Sequence, residues 1–230
     1  MGGLDDANRQ ALRRGPLLKS AVEFFALPAR YVHPDHLPRL GFDDPRLFSK
    51  LTATPRGERR LSELIARRAE LPSEGGIQFA DERLRIAMLP LPVLERLFSF
   101  AAAASLRREL SMVVERSSRE RLEQALGAEA KNFARQEASV ALGPLAVDHW
   151  GTGTGADLVA RFHENRSRCL EDCMAEAPPA ITRRLKLKLP ASWDCDFSDP
   201  PPAERAEAAW GMARRLLRTK VSEGSALCFA

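Results

Sequence analysis

A mostly α fold carrying one small β element is what this sequence predicts, and three patterns carry the prediction. Apolar residues recur at three- and four-residue spacing over long stretches, as in residues 92–110 and 158–173. Helix-opening chemistry, a Thr or Ser ahead of a Pro or an acidic residue, stands before several of those stretches. Period-two alternation is confined to residues 83–88 and 183–189, which are expected to be two short strands. The expected organisation is a single mainly helical domain over residues 16–230 behind a disordered extension, residues 1–15.

In chain order, residues 16–25 (PLLKSAVEFF) place apolar side chains at helical spacing. Residues 26–45 interrupt that spacing with four prolines and a glycine, and their aromatic and apolar content predicts an ordered loop that packs down. Within it Pro34 is suited to open a single helical turn, leaving His33 and His36 as surface or capping groups. Thr54 ahead of Pro55 starts a helix over about 55–70 with Leu61, Leu64 and Ile65 on one face, and LPSEGG (71–76) ends it. Leu84, Ile86 and Met88 then share one side of the first expected strand. Pro92 opens a strong helix, with Leu94, Leu97, Phe98, Ala101 and Ala102 inward, that runs on toward Arg116. Ser117 and Glu120 have the spacing of a capping box for a helix that stops at Gly127, and a further helix covers 128–140. Thr154 and Asp157 form another such box ahead of a helix of about twenty residues, whose Phe162, Cys169, Leu170 and Cys173 recur at helical spacing.

Residues 183–190, RRLKLKLP, alternate Leu185, Leu187 and Leu189 with Arg184, Lys186 and Lys188. Alternation of this kind predicts a strand with one buried and one basic face. Such a strand needs a partner for its backbone, either residues 83–88 or the edge of another protein. Residues 191–202 are expected to be a loop packing Trp193 and Phe197, before a last helix over 202–221 with Ala206, Trp210, Ala213 and Leu217 inward.

Composition narrows the function classes. The chain has 230 residues, 44% of them hydrophobic and 29% charged, with a formal charge of +4, values ordinary for a globular protein. Only six of the 35 basic residues are lysine, and the arginines are spread along many segments without aromatic interleaving. That distribution argues against a dedicated nucleic-acid surface. The opening MGGLDDANRQ is not a signal peptide, and the longest apolar run, residues 97–106, is half the length that crosses a bilayer. A cytoplasmic protein is expected, with its four cysteines as thiols. Cys169 and Cys173 share a helix face and are expected to be small buried residues there, not metal ligands.

One stretch points elsewhere. In HWGTGTGADL, residues 149–158, Gly151, Gly153 and Ala156 fit G-x-G-x-x-G/A, with Glu171 or Asp172 about twenty residues on. A helix follows the glycines, as a dinucleotide loop requires. The segment before them, ALGPLAVDHW, is not a buried strand, and the chain shows no βαβ alternation. The loop is expected to be a helix entrance, and no catalytic, cofactor-binding or metal-ligating set is assigned.

Three segments taken together resemble the SctK/YscK proteins of bacterial type III secretion systems. They are FFALPARYVHPDHLP near the start, the Leu-Pro step into an apolar helix in LPLPVLERLFSFAAAASLRREL, and RRLKLKLP with its basic pair, alternating leucines and closing proline. The resemblance runs in order from about residue 24 to the end; the preceding extension and the glycine loop are unmatched. It implies a non-enzymatic cytoplasmic adaptor of the sorting platform beneath the injectisome. Such an adaptor joins the forkhead-associated-like cytoplasmic domain of the inner-membrane ring protein (SctD class) to the pod protein (SctQ class), at the inner face of that membrane and without entering it. For such an adaptor Arg184, Lys186 and Lys188 are the candidate partner-binding residues, complementing an acidic surface. The competing readings are a basic helical nucleic-acid binder and a nucleotide-binding enzyme using residues 151–156.

Overall fold

The computed structural model describes residues 15–72, 81–138, 142 and 157–229. The expected extension, most of the 71–76 loop and the glycine loop at 151–156 lie outside these residues. The fold is mostly helical, and among the described residues there is no strand. The described residues divide into two compact units: those up to 91, 176–192 and 226 onward form the first, and those within 92–175 and 193–225 the second.

The first unit opens with α1 (Gly15–Ala26) and three successive 3₁₀ turns, Pro28–Arg30, Pro34–His36 and Pro38–Leu40. Each turn begins with a proline, whose fixed φ suits the first helical position and whose missing N–H costs nothing there. The expected turn at Pro34 is present, and the His33 ring accepts a hydrogen bond from the Asp35 N–H at 3.3 Å. Two helices follow, α2 (Pro45–Thr52) and α3 (Pro55–Arg68). Asp44 caps α2 through the N–H groups of Arg46 and Leu47, and Thr54 caps α3 through Gly57 N–H at 3.1 Å. A Cβ on Gly57 would lie 2.2 Å from the Leu51 carbonyl oxygen, so this corner closes only around a glycine. Ala29, Val32, Leu37, Leu40, Leu61 and Ile65 form the buried cluster beneath these elements, joined by Phe42, Phe48 and Leu187.

Both expected strands are helical. Residues 83–88 form α4 (Glu82–Arg85), capped by the Asp81 carboxylate on Arg83 N–H at 2.9 Å, and a 3₁₀ turn at Ile86–Met88. Every residue from Leu84 to Leu89 is buried, so the alternation of Leu84, Ile86 and Met88 does not separate a wet face from a dry one. Residues 183–189 belong to α10 (Pro179–Lys188), which Pro179 opens. Ile181, Leu185 and Leu189 follow a four-residue spacing on one buried side, while Leu187 packs on the Ala29–Ile65 cluster from another. A helix embedded on two sides can mimic period two. The segment also holds only Arg, Leu and Lys, good helix formers, and no β-branched residue. Neither internal strand pairing nor a donated edge is therefore retained.

In the second unit α5 (Leu91–Ser105) carries Leu94, Leu97, Phe98, Phe100 and Ala101–Ala104 into the core, all at 0–1% exposure. It does not run on unbroken to Arg116: the helix ends at Ser105 and α6 (Arg107–Met112) restarts after Leu106, whose ψ of 12° breaks the run. The next helix, α7 (Arg116–Leu126), begins a residue before the expected Ser117 cap, and the hydroxyls of Ser117 and Ser118 donate instead to the Glu115 carboxylate. It ends at Gly127, at φ +79°, as expected, and α8 (Ala128–Gln136) follows.

Asp157, expected inside a box opened by Thr154, is itself the cap of α9 (Leu158–Cys173), accepting from Val159 N–H at 3.0 Å. α9 packs along α11 (Ala203–Thr219), with Phe162, Leu170 and Cys173 of the one and Ala206, Ala209 and Ala213 of the other all buried. Asp172, at 2% exposure, is paired there with Arg205 at 2.9 Å. Trp193 stands edge-on to Phe98 and under the Arg166 guanidinium, 4.3 Å from the ring centre. A short α12 (Ser222–Cys228) closes the chain.

Candidate interaction surfaces

The basic trio read from RRLKLKLP is split by the helix. Arg184 and Lys188, four residues apart, point into the first unit at 4% exposure each, whereas Lys186 is exposed. Arg184 donates to the carbonyls of Ala180 at 2.9 Å and Pro72 at 3.0 Å and lies over the Phe25 ring. Lys188 Nζ donates to the carbonyls of Ala87, at 3.1 Å, and Leu89, and sits 5.7 and 5.9 Å from the ring centres of Phe24 and Tyr31. Burial lowers the Lys188 pKa from its ordinary 10.5 to about 7 and lowers that of Arg184, while it raises that of Tyr31. Neither cation has a carboxylate partner among the described residues.

The turn at 33–36 closes on the end of the same helix. His33 N–H donates to the Leu187 carbonyl at 2.8 Å, the His36 ring meets the Leu189 carbonyl at 2.9 Å, and the Asp35 carboxylate accepts from Ala191 N–H at 3.0 Å. Two carbonyls at the end of α10 and the first N–H of the 3₁₀ turn that follows it are satisfied in this way. So Tyr31, His33, His36, Leu89 and Lys188, drawn from the three segments that carry the family pattern, meet in one clasp.

Exposed chemistry lies elsewhere. At the α2–α3 corner Leu51, Thr54, Arg56, Gly57, Arg60, Leu61 and Leu64 enclose a mainly apolar depression of about 440 Å³. Leu47, one turn before Leu51, is 54% exposed. Arg56 and Arg59 are exposed and make no hydrogen bond or ion pair among the described residues; Arg60 pairs with Glu63 at 3.3 Å in full view of solvent. Glu58 turns the other way, held by Arg30 at 2.6 Å, and that hydrogen bond keeps its carboxyl below the usual range. No sequence reading singled out this corner, although Asp44-Pro45 and Thr54-Pro55 are two helix openings ten residues apart in one arginine-rich stretch. In the second unit Val113, Val114, Ser118, Arg121, Leu122 and Leu158 line a cavity of about 370 Å³ beside Met112 and Val114, which are 74% and 80% exposed.

Nothing in these places resembles a reaction centre. All four cysteines are buried thiols, and burial followed by hydrogen bonding to Cys173 holds the Cys169 pKa high, the opposite of an activated nucleophile. Among the described residues no three potential ligands cluster as a metal site, and no helix is long and apolar enough to cross a membrane.

No curated protein and no solved structure matches the chain. The family model described as YOP proteins translocation protein K (YscK) matches residues 19–230. With that match running from within α1 to the last residue, over the very segments that meet at Lys188, the chain belongs to the YscK family of type III secretion proteins, which is not a known enzyme family.

Proposed function

We propose that the chain is a non-catalytic adaptor that joins the cytoplasmic domain of the inner-membrane ring protein (SctD class) to the pod protein (SctQ class) of the same secretion system. The family match carries this reading, because membership implies work alongside other secretion components. Two features support it. The chain has two compact units, and each offers an exposed apolar surface of its own: the α2–α3 corner in one, the Val113–Val114 region in the other. Buried cations hydrogen-bonded to backbone carbonyls make the first unit a body suited to holding a partner in a fixed orientation. Of the basic trio, Lys186 is the member able to meet a partner's carboxylate directly, with Arg184 and Lys188 holding the helix that presents it.

Calorimetric titration of the purified full chain with the soluble ring-protein domain, and separately with the pod protein, tests the reading. Saturable binding to each at a defined stoichiometry is the expected result. Absence of binding to both folded partners would overturn it.

A further inference from the structure

Resting on the reading that the chain works by binding proteins, we infer that the α2–α3 corner docks an acidic segment of a partner. An aliphatic side chain of that segment seats in the depression, and its carboxylates meet Arg56, Arg59 and Arg60.

Charge and shape together select this occupant. Residues 45–68 carry seven basic residues against two acidic ones, a local surplus larger than the +4 of the whole chain. Of the two acids, Glu58 is committed to Arg30, and Glu63 forms only a solvent-exposed pair with Arg60, with side chains 52% and 74% exposed. Exposed pairs of that kind contribute little and yield readily to a better carboxylate. The cations are arginines, whose planar forks bind carboxylates in pairs of parallel hydrogen bonds. Arg56 and Arg60 border the apolar depression, and Arg56, Arg59 and Arg60 with Pro55 and Glu63 line the adjoining one.

The floor argues against other ligands. Leu51, Leu61 and Leu64 offer nothing to a phosphate, and no aromatic ring lines the depression on which a base could stack. A small cofactor would require convergent polar groups. The hydroxyl of Thr54 is already engaged, accepting from Gly57 N–H and donating to the Leu51 carbonyl. A leucine-lined depression bordered by solvent-exposed arginines fits a protein segment with a leucine-sized anchor between acidic residues.

The test is nuclear magnetic resonance mapping on the isotope-labelled full chain with a synthetic amphipathic peptide of alternating Leu and Glu turns. Two control peptides carry Leu→Ser or Glu→Lys replacements, and a single-stranded oligonucleotide is titrated alongside. The acidic peptide is expected to shift the amides of Leu51, Thr54, Gly57, Arg60 and Leu64, with affinity falling as salt rises. Each control peptide, and the protein variant Arg56→Gln, Arg59→Gln, Arg60→Gln, should bind about tenfold more weakly, the variant with an unchanged unfolding midpoint. Shifts centred on other residues, equal binding by the Leu→Ser peptide, or the same map from the oligonucleotide would overturn the inference. The adaptor reading fails separately, if wild-type chain binds neither ring nor pod protein. Wild-type binding to either protein that is reduced in the triple variant supports the corner; binding to both that is unchanged there overturns the corner and leaves the adaptor reading standing.

Discussion

The Lys188 clasp and the α2–α3 corner lie in the same unit and treat their cations in opposite ways. Arg184 and Lys188 are drawn inside, hydrogen-bonded to backbone carbonyls and roofed by Phe24, Phe25 and Tyr31. Arg56, Arg59 and Arg60 stand in solvent around exposed leucines. The first arrangement uses charge to join chain segments that are distant in sequence; the second leaves charge available. The first and third segments of the family pattern, with Leu89 from the second, meet in the clasp, and the proposed docking surface lies outside all three. In the clasp, at least, the pattern records how the chain folds.

The comparison is broken most severely at Lys188. Lys188→Ala removes the stem between Phe24 and Tyr31 and strands the Ala87 and Leu89 carbonyls, so a loss of about 3 kcal/mol is expected in chemical denaturation. Lys188→Met keeps the stem and removes the charge, and its cost should be about half as large. A Lys188→Ala protein as stable as wild type would show that the clasp holds nothing together.

The same side chain gives the comparison a pH axis. Its pKa is lowered from 10.5 to about 7 by burial, so within that window the unfolded chain binds a proton that the folded chain lacks. Stability from this group therefore rises as pH climbs from about 7 toward 10.5, and is lowest below that window. Other groups titrate nearby, among them Cys228, whose thiol burial pushes up to about 12. The readout is accordingly the difference between wild type and Lys188→Met across pH. A difference constant over the window would mean that the carbonyl hydrogen bonds hold the ammonium charged throughout.

Gly57→Ala comes next. Its Cβ would meet the Leu51 carbonyl oxygen at 2.2 Å and the Thr54 hydroxyl at 2.8 Å, and the first of these is backbone that cannot swing away. Opening the corner should cost about 1–2 kcal/mol and widen the depression. Denaturation measures the first effect. Weaker binding of an acidic peptide without any loss of arginine charge measures the second.

Most helices were legible because their openings are written in local chemistry. Thr54-Pro55 marked α3, Pro34 marked its turn, and Gly127 marked the end of α7, since capping and φ restriction act within a few residues. The strands misread at 83–88 and 183–189 failed for a reason equally physical. Alternation reports which side chains are buried, and when a helix is buried on two sides, period two and period four can share the same leucines. Arg184 and Lys188 were read as surface cations because local sequence cannot announce that Pro72, Ala87 and Leu89, about a hundred residues away, will supply carbonyls. The corner went unread because α2 itself was missed, although Asp44-Pro45 spells out its cap.

The smallest expected effect on stability is also the most informative about the corner. Arg56 and Arg59 make no hydrogen bond or ion pair among the described residues, and the Arg60–Glu63 pair is exposed. Arg56→Gln, Arg59→Gln and Arg60→Gln together should then change unfolding free energy by less than about 0.5 kcal/mol. Relief of repulsion among the three should even make the change slightly favourable at low salt, and added salt should erase it. A triple variant that loses several kcal/mol would place these arginines in the fold, as Arg184 is. One that keeps its stability while losing a partner separates the two regions by function as cleanly as burial separates them by structure.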